Sequence, residues 1–438
     1  MKKILSLFVL IGFVLIAPAQ AHAADRDPLV KLLIKKGVIT EGEVREMEAE
    51  LAAQEKATSA AQPTAAPAKQ EIQAAVKEVL PDWVKNTTWS GDLRLRHETQ
   101  FRDPSVDRNR ERFRLRFGFK AQPWNPLEIG VQLGTGTSGD PISNNQTFTS
   151  TFDKKAIFVD KAYAKYTPWS WVSFVGGKMD NPYRTTDIVW DPDVTPEGVA
   201  IQMKSPGGIP GLKEWLAVRP FANVGAFPIS ELNTTKGHPA IYGFQGGADI
   251  DLPCGLVFQP SVGYYDFQRV KGMPTSTITG SPAGNTTFTS GGVTRLAYDY
   301  NIVDILGRLT IPEFLGQPVA LVGDYVFNTA YSAPDSPAGK LDNKGAWQAG
   351  VEVGKVTEKF GSWKATYYFK RLESNAVFGA LTDSDFGAGG TNHFGHILGV
   401  QMGLNKWASV GLKYYRTDEI IGSQNRNDTL QADLNLKY

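Results

Sequence analysis

The sequence predicts an all-β transmembrane barrel: about 16 antiparallel strands in an up-and-down meander, preceded by a short α-helical segment. Three observations point to it. Apolar and polar residues alternate with period two from Trp89 to the last residue, the connections alternate between short and long, and tryptophans gather at the short ones. The patterned segments run to roughly nine to thirteen residues, enough to cross a bilayer at a tilt. Soluble strands are usually nearer five or six.

The chain opens with MKKILSLFVLIGFVLIAPAQAHA, where Lys2 and Lys3 precede an apolar run from Ile4 to Ile16 and a small-residue exit at Ala21-His22-Ala23. This reads as a secretory signal peptide over 1–23, cleaved after Ala23 or alternatively after Ala21. The run is too short for the roughly 20 residues of a spanning helix.

Residues 24–82 read as a helical region. Leu29, Leu32 and Leu33 suggest a short helix, and Thr40 with Glu43 forms a capping box for a second, whose Val44, Met47 and Leu51 share a stripe. KATSAAQPTAAPAKQ reads as a flexible linker and EIQAAVKEVLP as a further amphipathic helix. The spacing permits a coiled coil, and a monomeric helix pair fits it equally well.

The barrel is expected over 86–438. In WSGDLRLRHETQF, Trp89, Leu93, Leu95 and Phe101 alternate with Asp92, Arg94, Arg96, Glu98 and Gln100. In ERFRLRFGFK, Phe113, Leu115, Phe117 and Phe119 alternate with Arg112, Arg114, Arg116 and Lys120. The same alternation continues through LVFQPSVGYYDF, WQAGVEVGK and ASVGLKYYR, but is blurred in DKAYAKYTP and NIVDILGRLTIP. QPWNP, TPWSW and LNKWA are short connections. RDPSVDRNR and the stretches Ser138–Lys155, Asp180–Pro196 and Glu373–Asn392 are long ones. This polarity suits a meander whose two ends face different compartments, with Trp124, Trp169, Trp171, Trp215, Trp363 and Trp407 forming an interfacial belt. The last strand places Leu430, Ala432, Leu434, Leu436 and Tyr438 on one face, an aromatic ending that resembles the strand signature read by the barrel-assembly machinery.

Composition narrows the function. Lys plus Arg number 46 against 45 Asp plus Glu, so the chain has no net preference for nucleic acid or anionic lipid. The single cysteine, Cys254, rules out an internal disulfide framework, and closure must supply rigidity instead. No enzyme constellation, cofactor site or metal site is expected. His393 and His396 have odd spacing on a strand and face opposite sides, and the Gly-rich run Gly134–Asp140 ends a strand instead of opening a helix.

The inward charges remain. Arg94, Arg96, Arg112, Arg114, Arg116 and Lys120 form a basic ladder on adjacent strands, which lipid would penalise by roughly 2 to 4 kcal/mol per residue near the midplane. A water-filled lumen would screen it. Pairing with Asp92, Glu98 and Glu111 is the plainer alternative. The connection KMDNPYRTTDIVWDPDVTPEG carries Asp180, Asp187, Asp191, Asp193 and Glu197 around three prolines. Folded inward over 180–196, it would set an acidic face against the basic wall and constrict the lumen.

These residues carry a resemblance. LVKLLIKKGVITEGE, VDKAYAKYTP, GGKMDNPYRTTDIVWDPDVTPEGVAIQM, DYNIVDILGRLTIP and the aromatic C-terminus make the sequence similar to the porins of Gram-negative bacteria that carry a periplasmic helical region ahead of a general-diffusion barrel. The resemblance implies a homotrimer of sixteen-stranded barrels among outer-membrane lipids and lipopolysaccharide. It also implies a third outer loop that constricts the pore and N-terminal helices in the periplasm, and it implies no substrate. The leading reading is a passive channel for small hydrophilic solutes, with peptidoglycan contact through the N-terminal helices a further expectation. An anion-selective channel for phosphate or dicarboxylates, a surface scaffold, and a secreted β-rich hydrolase are the competing readings.

Overall fold

The computed structural model describes Gly42 and residues 82–208, 216–232, 237–278, 280–331, 343–423 and 425–438. The expected signal peptide, N-terminal helices and linker lie outside the described residues but for Gly42, and Trp215 lies outside them too. The chain divides into two units, 1–80 and 81–438, and the second carries the barrel.

After one helical turn, α1 (Asp82–Lys85), come the strands β1 (Thr87–Asp103), β2 (Arg108–Trp124), β3 (Leu127–Thr135), β4 (Ile157–Trp169), β5 (Val172–Lys178), β6 (Glu197–Lys204), β7 (Ala217–Pro228) and β8 (Ala240–Asp251). They continue as β9 (Val257–Gln268), β10 (Tyr300–Phe314), β11 (Gln317–Asn328), β12 (Gly345–Gly354), β13 (Trp363–Leu372), β14 (His393–Gly403), β15 (Ala408–Glu419) and β16 (Arg426–Lys437). The sheet also takes in the two-residue piece Gln146–Thr147 beside β2, so its 17 strands comprise 16 barrel strands and this one. Each barrel strand pairs antiparallel with the next, and β16 pairs with β1 from Asp92 opposite Lys437 to Asp103 opposite Arg426. The sheet therefore closes without an edge, the form in which β-structure satisfies its backbone in lipid.

The barrel is apolar outside and polar inside. Leu95, Phe117, Phe244, Val262, Leu321 and Leu398 are exposed on outward faces. Arg96, Glu98, Lys370, Thr429 and Gln431 are buried on inward ones. Trp124, Trp169, Trp171, Trp363 and Trp407 are all exposed beside short turns, and Trp169 stacks on Trp171. At the closing seam Gly91 and Tyr438 exchange backbone hydrogen bonds of 3.3 and 3.2 Å. A Cβ at Gly91 would overlap the Tyr438 ring and the Arg116 carbonyl, so glycine there lets the terminal aromatic lie over the seam and stack on Phe117.

One connection differs from expectation. RDPSVDRNR shrinks to residues 104–107 because β1 and β2 each run for 17 residues. The polar residues expected in the loop stay in register, with Thr99 donating to Asn109 at 2.7 Å on one face and Arg110 donating to Glu98 at 2.6 Å on the other.

Long connections fold inward. Met179, Tyr183, Ile188 and Trp190 of loop 179–196 and Val377 and Phe378 of loop 373–392 join inward residues of β9 to β13 in one buried apolar cluster. Trp190 meets the Tyr265 ring edge-on at 5.6 Å, and Phe378 meets Phe267 at 5.1 Å and Tyr300 at 5.7 Å. Part of the barrel interior is thus a dry core. Among the described residues no helix is long and apolar enough to cross a membrane.

Candidate pore constriction

The arginine wall follows from register. β1 and β2 place Arg94 opposite Arg114 and Arg96 opposite Arg112. Like charges facing one another across a ladder repel, so the arrangement needs counter-charges. The wall supplies most of them. Arg96 makes a two-pronged contact with Asp433 of β16 at 2.7 and 2.8 Å. Asp92 accepts from Arg114 at 2.9 Å and from Arg116 at 2.7 Å. Glu98 accepts from Arg112 at 3.4 Å and from Gln431 at 3.2 Å, in addition to Arg110. A planar guanidinium suits these forked contacts, where an ammonium would give only a point charge. The expected water-screened ladder is therefore largely an ion-paired one. Glu111 takes no part, since it faces outward and contacts His97 at 2.6 Å. Arg94 donates to Asn145 of loop 136–156 at 2.6 Å, and Lys120 lies exposed on the same strand face as Arg116.

Of the five acidic residues expected to face this wall, the structure brings one to it. Asp193 lies 3.3 Å from Arg114 and 3.5 Å from Arg116. Asp187 turns instead to Lys370 of β13 at 2.7 Å, and Asp180 pairs with Lys161. Glu197 begins β6 and pairs with Lys178 at 2.9 Å, outside the loop altogether. Asp191 faces no arginine; its carboxylate accepts from the backbone N–H of Asp193 and of Ser384, each at 2.8 Å. Residues 179–196 are irregular chain with no common face, so each acid turns to its nearest partner: Asp187 to Lys370, Asp180 to Lys161 and Asp191 to two backbone N–H groups.

The second acidic contribution comes from loop 373–392. Asp385 contacts Arg96 at 3.2 Å, and Asp383 contacts Lys370 at 2.7 Å. The sequence carried a usable signal: Asp191-Pro192-Asp193 and Asp383-Ser384-Asp385 are the same Asp-x-Asp pattern. In each, the first carboxylate accepts from the backbone N–H two residues on, at 2.8 and 2.9 Å, and turns the chain. The second then reaches an arginine. One Asp folds the tip and the other uses it.

Charge states follow from this packing. Burial, then the Asp383 charge, pushes the Asp191 carboxyl up to about 8. Burial likewise raises Asp383, with the Lys370 ammonium opposing. For Asp187 burial works upward too, but Lys370 and Lys413 outweigh it and hold the carboxylate low. Asp385 is buried as well, and Arg96, Lys413 and Arg94 hold it well below the usual carboxylate range.

Loop 179–196 borders a cavity of about 650 Å³, lined among others by Arg116, Asp180, Asp187, Arg308, Glu352 and Lys413. Both signs of charge line it, so it attracts neither ion strongly. His393 packs inward, edge-on to Phe386, while His396 faces outward against Tyr367 at 3.0 Å, so the two cannot share a ligand.

Comparison with known proteins completes the picture. The family described as "Putative porin" matches residues 98–294 and 280–438. The high-pH structure of Pseudomonas putida OprB is similar with a TM-score of 0.52 at 11% identity, over 81% of this chain and 95% of that one. OmpT of Vibrio cholerae, in a form lacking loop L8, gives 0.45 at 12% identity over 81% and 100%. Salmonella typhi OmpF gives 0.45 at 11% identity over 80% and 97%. No curated protein matches the chain. The OprB likeness agrees with the closed barrel, and the family match runs from Glu98 to Tyr438, so the chain belongs to the putative porin family and forms a diffusion channel of the outer membrane.

Proposed function

We propose that the barrel passes small hydrophilic solutes down their own gradients with weak ion preference. On this reading Arg94, Arg96, Arg112, Arg114 and Arg116 line the constriction, with Lys120 nearer the periplasmic end. Loops 179–196 and 373–392 narrow the passage, and Asp193 and Asp385 provide their charged tips. Charge compensation supports the reading most: Asp92, Glu98 and Asp433 of the wall and Asp193 and Asp385 of the loops contact the arginines. A ladder neutralised in this way leaves little field for selecting anions, which tells against a dedicated phosphate or dicarboxylate channel.

The working unit on this reading is a homotrimer in outer-membrane lipid and lipopolysaccharide. The signal peptide directs export, and the segment between it and residue 82 lies in the periplasm within reach of peptidoglycan. The strand ending at Tyr438 is what the assembly machinery engages.

Purified protein added to a planar bilayer should give conductance in three equal steps, with permeability to potassium and chloride within roughly threefold of each other. A protein that stays soluble without detergent and gives no steps would sink the proposal.

A further inference from the structure

Lys370 is fully buried on β13, and its ammonium lies 2.7 Å from Asp187 Oδ1 and 2.7 Å from Asp383 Oδ2. The two carboxylates belong to different loops, 179–196 and 373–392. Around the ammonium these loops exchange hydrogen bonds. Asp191 N–H donates to the Leu381 carbonyl at 2.7 Å, Asp383 N–H to the Asp187 carbonyl at 3.1 Å, and the Thr382 hydroxyl to the Ile188 carbonyl at 2.6 Å. Ser384 N–H donates to the Asp191 carboxylate at 2.8 Å.

Two arms leave this junction. In one, Asp383 Oδ1 accepts from the N–H groups of Asp385 and Phe386 at 2.9 and 3.2 Å, and Asp385 reaches Arg96. In the other, the Asp191 carboxylate accepts from Asp193 N–H, and Asp193 reaches Arg114 and Arg116. Both loop-borne counter-charges of the arginine wall are therefore oriented from one buried cation.

We infer that Lys370 is the positioning residue of the constriction. It bolts loop 373–392 to loop 179–196 and so delivers Asp385 and Asp193 to the arginines, and the ion preference of the channel depends on a side chain remote from the solute. The inference rests on the pore-lining reading proposed above. Without the ammonium, Asp187 and Asp383 are left buried close together, a repulsion that separates the loops. Asp385 and Asp193 then withdraw, and Arg96, Arg110, Arg112, Arg114 and Arg116 keep only the wall's own Asp92, Glu98 and Asp433. Withdrawn loops widen the passage, and five arginines against three carboxylates make it anion-preferring. Neutralising all three members of the bolt removes the repulsion together with the attraction.

Single-channel recording in a salt gradient tests this on wild type, Lys370→Met, and the triple variant Asp187→Asn/Lys370→Met/Asp383→Asn. Lys370→Met should raise unit conductance roughly twofold and move the reversal potential toward anions, and the triple variant should return both to wild type. Asp385→Asn should shift the preference in the same direction by less. Lys370→Met indistinguishable from wild type, or a triple variant that behaves like Lys370→Met, overturns the inference. Chymotrypsin sensitivity at Phe378 and Phe386, both buried in the docked loop, gives a second readout. It should rise in Lys370→Met and not in the triple variant. If Lys370→Met does not fold, Lys370→Gln, which keeps a hydrogen-bond donor but no charge, decides: an open, cleavable loop upholds the bolt, and wild-type conductance and protection overturn it. If wild type itself gives no steps, the pore reading falls while the chymotrypsin comparison still decides the bolt.

Discussion

Two stretches of the barrel wall meet the interior in opposite ways. On β1, β2 and β16 the inward positions hold Arg96, Glu98, Arg114 and Asp433, tied to one another and to loop tips by ion pairs. On β9, β10 and β11 they hold Tyr265, Ile302 and Val326, and an inward-folded loop covers them with Trp190. Both face away from lipid, so membrane contact does not distinguish them. The loop laid against each does: acidic tips meet guanidinium groups, and aromatic flanks meet aromatic and aliphatic side chains. Half of a porin interior can thus follow the rules of a soluble core while the other half remains a polar passage.

The dry half should be the more fragile. Trp190 is fully buried between Tyr183 and Tyr265, with ring centres at 6.1 and 5.6 Å. Trp190→Ala should weaken loop docking by about 3 to 5 kcal/mol, because the cavity left behind adds to the lost burial. The barrel itself, held by its closed ladder, should stay folded. Chymotrypsin cleavage at Tyr183, buried in the same loop, measures the docking, and heat-dependent gel mobility measures the barrel. A loop that stays protected would place its anchor elsewhere.

The same contrast decides what the sequence could reveal. Strict alternation made β1, β2 and β16 legible because both of their solvents differ sharply. Alternation blurred in NIVDILGRLTIP, and β10 explains it: Ile302, in the dry core, and Leu306, on the cavity, face inward beside Asp304 and Arg308, so apolar residues stand on both faces. In DKAYAKYTP the cause is geometric, since the register with β3 shifts between Gln132 and Leu133 and the inward phase changes at Asp160 and Lys161. Strand number, closure and the polarity of the connections came through regardless. Of the proposed constriction, the arginines stand in patterned strands and Asp193 in an acidic loop that the sequence singles out, whereas Lys370 gains its place only from two loops that meet across nearly 200 residues of chain. Local periodicity carries no trace of such a meeting.

Between the halves stands Asp191, and pH should expose it. Its docked carboxyl titrates at about 8, raised by burial and then by Asp383, with Asp193 adding to the effect and the N–H groups of Asp193 and Ser384 opposing. In an undocked loop it would titrate near ~3.9. Docking therefore draws most from Asp191 below the undocked value, weakens as pH rises, and has lost that contribution above about 8. Asp187 and Asp385 run the other way, being held low, and matter only as pH falls through the acid range. From pH 7 to 9 the cleavage rate, normalised to a free peptide, should rise by up to about tenfold and then level off. Asp191→Asn should abolish the dependence, and a rise that continues unchanged in that variant would assign it to another group.

The smallest effect is the most telling for the wet half. Arg114 stands between Asp92 of the wall and Asp193 of the loop, and Arg116 contacts both acids as well. Arg114→Gln leaves two carboxylates facing one guanidinium, so a net negative charge develops where the wall was balanced. Permeability should move toward cations by roughly twofold to fivefold, with loop protection and barrel stability unchanged. Trp190→Ala should move it the other way, because an undocked loop carries Asp193 off the wall and leaves Arg114 and Arg116 with Asp92 alone. Opposite signs from the two substitutions would show that the dry core holds the loop and the ion pairs set the preference. Equal signs would mean that the loop, docked or not, contributes no charge to the passage, and the arginine wall would have to be balanced by Asp92, Glu98 and Asp433 without it.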